Sequence, residues 1–186
     1  MNDALNLMLT RRSTSVKDMT TPAPSDAELE QILRVATRVP DHGKLTPWRI
    51  IVLKEKGQKE LGLLAEELFL RRFADATDAE KAAERNRFAR APLCLAVLST
   101  PVQDSKPVWE QEMSAAAVCM NILHAANALG YGAKWLTEWV AYHGDILSAL
   151  GGRASDKIAG FIYLGTKKTE TDDRARPKLS DVVEWR

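Results

Sequence analysis

Apolar residues recur along this chain at two spacings, one that lines a helix face and one that fills a buried strand. Residues 3–12 place Leu5, Leu7, Met8 and Leu9 on a short helical face. Ser25 with Glu28 three positions on is a capping-box pattern. Leu29, Ile32, Leu33 and Ala36 carry that second helix forward, and it should stop before Pro40. A third helix is predicted over residues 57–73, with Leu61, Leu64, Leu68 and Phe69 on one side. The longest helical pattern starts at Pro107 and runs to Leu129, where Gly130 closes it; proline suits the first turn and glycine the C-terminal cap. Its second half is alanine-rich and apolar on nearly every side, so it should be surrounded by protein, centrally or at a subunit interface. A short helix over residues 146–150 ends at Gly151-Gly152.

Three continuous apolar runs, residues 49–54, 92–100 and 157–166, read as buried strands, and residues 132–137 as a further strand entry. The polar stretch 74–90 predicts a weakly packed segment, mobile or acting as a lid. The tail from residue 167 is polar but ends with Leu179, Val182, Val183 and Trp185, an apolar set whose expected cover is a partner subunit. Residues 1–186 read as one domain, with helices before, between and after the strands, which suits an α+β or α/β fold and excludes an all-β one.

Composition narrows the function classes. Apolar residues make up 45% of the 186, charged residues 27%, and the formal net charge is +1. Nothing argues for a nucleic-acid surface, and no apolar run reaches the length of a membrane span. The N-terminus has no signal-peptide pattern, and Cys94 and Cys119 read as small buried hydrophobes, so a cytoplasmic protein is expected. His42, His124 and His143 fit no zinc spacing, so no metal is expected. Ser13 lacks the context of a catalytic serine. Gly130-Tyr131-Gly132 does not continue into a dinucleotide-binding turn, and there is no Walker loop.

Two polar motifs remain. Arg11-Arg12-Ser13 follows the first helix; guanidinium forks and a hydroxyl match a phosphate or a polyol, though arginines at a helix end also serve its free carbonyls. Arg38 and His42 sit in a stretch kinked by Pro40, Gly43 and Pro47-Trp48 between a helix and a strand, where polar groups of a binding site are commonly placed. Taken alone, each motif reads first as structural, a helix-end cation or a turn residue bonded to backbone. Glu110 and Glu112, at the start of the long helix, complement its dipole.

In combination these motifs, followed by the alanine-rich helix, Gly130-x-Gly132-x-x-Trp135-Leu136-Thr137 and Gly160-Phe161-Ile162-Tyr163-Leu164-Gly165, resemble the FMN-dependent nitroreductase family over essentially the whole chain, and within it the short YdjA-type NAD(P)H nitroreductase subgroup. The resemblance implies a nitroreductase-like α+β fold: a central mixed or antiparallel sheet flanked by helices, with a long buried helix and a C-terminal tail exchanged with the partner of a homodimer. It implies FMN at the dimer interface and NAD(P)H as electron donor. Arg11, Arg12 and Ser13 would hold the FMN phosphate, ribityl chain and pyrimidine edge, with Arg11 or Arg12 favouring negative charge on the reduced ring. Arg38 and His42 would reach the same flavin from the other subunit, and Trp135, Leu136 and Thr137 would line the isoalloxazine. Residues Ala125, Ala126, Asn127, Ala128, Leu129 and Gly130 match a nicotinamide-nucleotide contact.

Flavin N5 would carry the chemistry, with no catalytic side chain, passing electrons to nitroaromatic, quinone or related small-molecule acceptors in ping-pong turnover. The alternatives are a dehalogenase or flavin-processing enzyme of the same fold, a non-catalytic flavin- or phosphate-binding protein, or a structural dimer whose arginines cap helices. Two departures stand out. Ser15 and Val16 occupy places where a base is common, leaving Lys17, Arg176 or Lys178 as candidate cations. Glu138 follows Thr137, where it is expected to make the substrate face more acidic.

Overall fold

The structure, a computed structural model, describes residues 2–103 and 106–186. Five strands form one antiparallel sheet: β1 (Met19–Thr20), β2 (Trp48–Leu53), β3 (Leu93–Ser99), β4 (Gly132–Leu136) and β5 (Lys157–Lys167). The path β1-β5-β3-β2 has β4 added to β5. Residues 49–54, 92–100, 132–137 and 157–166 are thus strands as read; the two-residue β1 carries no pattern of its own.

Every residue of β3 is buried, because helices cover both faces of the sheet. Cys94, Ala96 and Leu98 join the core under α3 (Glu55–Arg72). Leu93, Leu95 and Val97 join the core under α2 (Asp26–Ala36) and α5 (Val108–Ala128). Side chains alternate between faces with a period of two, so an irregularity in pairing reverses which residues face which core. The β3–β5 register shifts between Val97 and Leu98. Accordingly Ile158 shares a core with Phe161 and Tyr163, whereas Ile162 and Leu164 face the other.

Ser25 caps α2 reciprocally: its amide donates to Glu28 Oε2 at 2.9 Å and its hydroxyl accepts from the Glu28 amide at 3.3 Å. Glu28 also accepts from the Tyr131 hydroxyl at 2.9 Å, tying α2 to the start of β4. Along α5, Val118, Cys119, Ile122, Ala125 and Ala126 are buried on the sheet. Pro107 is its N-cap rather than a first-turn residue, and Gly130 adopts φ 86° just beyond the last turn. The helix is not enclosed throughout: Trp109 and Met113 are exposed.

Residues 74–90 are neither loose nor a lid. They form α4 (Asp78–Arg85) and a short turn (Arg87–Ala89) anchored by Phe88, which is fully buried. Thr77 and Glu80 make a second capping box. Gly62 of α3 lets α4 approach so closely that a Cβ there would overlap the Arg85 carbonyl. The remaining helices are α1 (Asp3–Thr10), which buries no residue, and α6 (Gly144–Ala149). Leu5, Met8 and Leu9 of α1 lie 56–65% exposed, and in the tail Leu179, Val182 and Trp185 are exposed as well. Both cysteines are free and buried, and desolvation pushes the Cys119 thiol up to about 12. Among the described residues no helix is long and apolar enough to cross a membrane.

Candidate functional site

The chain leaves α1 at Arg11 and runs beside the start of β4, where the Thr14 amide donates to the Ala133 carbonyl at 3.1 Å. The absence of a Cβ at Gly132 admits Thr14 to this position. A polar recess of about 270 Å³ opens here, lined by Arg11, Arg12, Thr10, Thr14, Asn127, Lys167 and Thr171 among others. Arg12 is held from outside, its Nε donating to the Asp172 carbonyl at 2.8 Å.

Arg11 has no such anchor. Its Nη1 is buried without a hydrogen-bond partner among the described residues. Desolvation first, then the charges of Arg176, Arg12 and Arg174, press its pKa below the ordinary guanidinium value. An arginine stays cationic in proteins, so this is an uncompensated positive charge with a free donor, and an anion would relieve both conditions. Glu170, the one acid on the recess wall, is paired with Lys167 at 3.1 Å. His124 has a buried, unpartnered Nδ1, and desolvation followed by Arg11 holds its pKa below the usual histidine range.

Lys167, paired with Glu170, puts on the recess wall a base that Ser15 and Val16 do not provide, and Arg176 acts on Arg11 as a neighbouring charge. Lys17 is exposed, and its carbonyl is occupied by Lys168 Nζ at 2.8 Å; Lys178 is exposed. Lys167 and Arg174 carried no sequence signal, because the end of β5 and the tail reach the first motif only through the fold.

Ser13 is half-buried in the same segment. Downstream on β4, Trp135 turns its indole into the core, where Nε1 donates to the Ala159 carbonyl at 3.0 Å and the ring fills the space above Gly160. Leu136 packs on the opposite core, and Thr137 is half-buried at the strand's exit. From Ala133, Trp135 to Thr137 lie about 7–13 Å along the strand. Ala125 and Ala126 are core residues and do not reach the recess. Asn127 lines it, while Ala128 at the helix end and Leu129 and Gly130 beyond it are exposed.

Arg38 and His42 sit elsewhere. The segment is strapped to α5: Asn121 Nδ2 donates to the Val35 and Arg38 carbonyls at 3.2 and 3.0 Å, and Ser114 Oγ to the Pro40 carbonyl at 2.8 Å. His42 Nδ1 lies 2.6 Å from Glu110 Oε2. Asp41 accepts from the Leu45 and Thr46 amides at 3.0 and 2.9 Å across a turn in which Gly43, Lys44 and Thr46 all have positive φ. This strap leaves Arg38 and His42 exposed. Along α5, Asn127 at the recess is about 25 Å from Glu110, which holds His42, and about 9 Å from Asn121, which holds the Arg38 carbonyl. The chain therefore places His42 far from Arg11, and the exposed Arg38 does not line the recess.

Glu138 is not a free acid on a substrate face. Its carboxylate accepts from Arg87 Nη1 at 2.8 Å and from Arg90 Nη1 and Nη2 at 3.1 and 2.6 Å. Desolvation raises its pKa, but the hydrogen bonds and charge of Arg90, then of Arg87, outweigh that and hold it below the ordinary carboxylate value.

Fold and site together define an α+β protein on one antiparallel sheet, with a cationic recess toward one end of its long helix and an Arg–His strap toward the other. The chain belongs to the Nitroreductase family, whose sequence model matches residues 8–166. It is 38% identical over 165 residues to YdjA of Escherichia coli K12, provisionally named an NAD(P)H nitroreductase, with 88% of each chain covered. Among solved structures, a nitroreductase-like family protein from Bacillus cereus superposes with a TM-score of 0.80 at 21% identity, covering 100% of this chain and 96% of that one. A protein of Desulfovibrio desulfuricans, provisionally named a nitroreductase and in complex with FMN, superposes with a TM-score of 0.75 at 22% identity over 100% and 98% of the two chains.

Proposed function

We propose that the protein is an FMN-dependent oxidoreductase that takes electrons from NAD(P)H and delivers them to nitroaromatic, quinone or related small-molecule acceptors, working as a cytoplasmic homodimer with residues 1–186 as one domain per subunit. FMN held by the residues of the recess would supply the redox chemistry between donor and acceptor, and one cleft serving both substrates would give ping-pong turnover. The polypeptide supplies binding, orientation and charge.

The observation that carries this reading is the half-buried Arg11 guanidinium, whose Nη1 is buried without a partner among the described residues, beside Arg12, Arg174 and Arg176 in a recess whose one acid among those residues is paired. That donor set fits a phosphate-bearing group. Arg11, Arg12, Ser13 and Lys167 hold the phosphate end, and Trp135, Leu136 and Thr137 border the ring through the end of β4, at a spacing that a five-carbon polyol chain can bridge. Arg38 and His42 serve the partner's flavin, which accounts for the distance of His42 from Arg11 in one subunit and for the exposed apolar faces of α1 and the tail. Of the nicotinamide-contact candidates, Asn127 and the exposed residues 128–130 are the ones open to a second nucleotide.

The test is an absorption spectrum of purified protein with FMN before and after anaerobic NADH or NADPH. The expected result is a bound-flavin spectrum that bleaches with the donor and recovers with an acceptor. Protein that retains no flavin contradicts the proposal. Yellow protein that neither donor bleaches identifies a non-catalytic flavin-binding protein instead.

A further inference from the structure

At the exit of β4 the backbone turns through Glu138 with φ 53° and ψ −176°. This conformation suits glycine, and a residue with a Cβ keeps it only where its surroundings over-determine it. Those surroundings are two guanidinium groups, each fixed independently of Glu138. Arg87 pairs with Glu84 and lies over the Trp139 ring at 5.7 Å. Arg90 donates from Nε to the Arg87 carbonyl at 2.7 Å and from Nη2 to the Tyr163 hydroxyl at 3.1 Å, and Tyr163 is fully buried. Trp139 Nε1 in turn donates to Glu84 at 3.2 Å. Glu84 and Glu138 thus balance Arg87 and Arg90, so the cluster holds the backbone without adding net charge beside the site.

We propose that Glu138 is a positioning residue whose carboxylate, clamped by Arg87 and Arg90, holds the Thr137–Glu138 peptide in a glycine-type conformation and so fixes how the end of β4 meets the flavin. This rests on the reading that residues 135–137 border the isoalloxazine. The clamp makes the side chain do what a glycine would do by lacking one. It also sets the direction in which Trp139 leaves the strand, because the turn Trp139–Tyr142 starts at the next residue.

The decisive comparison is Glu138→Ala against Glu138→Gly. Both remove the same carboxylate and leave the same arginines, and they differ in their tolerance of positive φ. FMN affinity, read by flavin fluorescence quenching, should fall about tenfold in Glu138→Ala, the size of the left-handed penalty for a residue with a Cβ, and less than about threefold in Glu138→Gly. Arg90→Gln should cost about tenfold with Glu138 present and less than about twofold in the Glu138→Gly background, since glycine needs no clamp. Equal affinities of the alanine and glycine variants, or the same cost of Arg90→Gln in both backgrounds, would overturn the proposal. Crystal structures of the flavin-free variants judge the clamp separately from the functional reading. Residue 138 should move to negative φ in Glu138→Ala and stay positive in Glu138→Gly; an alanine that keeps positive φ rejects the clamp even if wild-type protein binds no FMN.

Discussion

Arg11 does nothing for the fold that another residue could not do. Its Nη1 bonds to no group among the described residues, and it is crowded by other cations. Arg11→Ala should therefore leave the melting temperature of the flavin-free protein unchanged or slightly raised. It should weaken FMN binding about tenfold to a hundredfold, the worth of one charge-assisted hydrogen bond. Thermal melts and flavin titrations check the two halves, and a large drop in melting temperature would mark a structural role. Gly160 is the converse case. A Cβ there would overlap the Trp135 indole, so Gly160→Ala should cost about 1–3 kcal/mol and shift tryptophan fluorescence, measurable by denaturant unfolding. At this scale the sequence displays the arginine doublet, because adjacent charges are visible as such. It does not display Lys167 or Arg174, which lie more than 150 positions away and arrive through the pairing of β5. Glu138 reads as surface acidity because the two arginines that neutralise it sit some 50 positions upstream.

Helices and strands were legible wherever a period ran long enough to bury one face, as in α2, α3, α5 and the four longer strands. The β-bulge that swaps cores along β5 was not, since both of its faces are apolar and alternation is invisible there. The segment containing α4 misleads for a different reason: its polarity suggests exposure, yet Glu84 and Phe88 are buried and the Arg87–Glu84 pair points inward. Its capping box, Thr77 with Glu80, carries the same signal that marks α2. The ion pairs joining α3, α4 and β4 imply an acid limit. Glu66 has its pKa lowered chiefly by its hydrogen bond to Arg85, and Glu138 has a net lowering through Arg90 and Arg87 against desolvation. A carboxylate depressed in the folded state contributes stability above its unfolded pKa, about 4, and loses it as pH falls through the folded value. Melting temperature should hold down to about pH 5 and fall below pH 4, with Glu138→Gln removing part of that fall. A wild-type profile flat to pH 3 would contradict this account.

At the scale of the whole molecule, the proposed dimer accounts for what a single chain leaves open. The chain's recess and its His42–Glu110 contact are marked by α5 positions about 25 Å apart, and the chain leaves Leu9 65% and Trp185 92% exposed. Apolar faces of this kind mark a partner surface. Leu9→Glu is expected to shift the protein from dimer to monomer in sedimentation and to release its flavin; a Leu9→Glu dimer with full FMN content would separate α1 from the interface.

The claim beneath all of this is that each flavin is held by Arg11 of one subunit and Arg38 of the other, and mixed dimers measure it directly. Arg11→Ala and Arg38→Ala homodimers, differently tagged, should each lose FMN affinity at both sites. The purified mixed dimer should regain one site of wild-type affinity, because one of its clefts receives the intact residue from each chain. A mixed dimer with no site tighter than those of its parents would contradict the shared cleft.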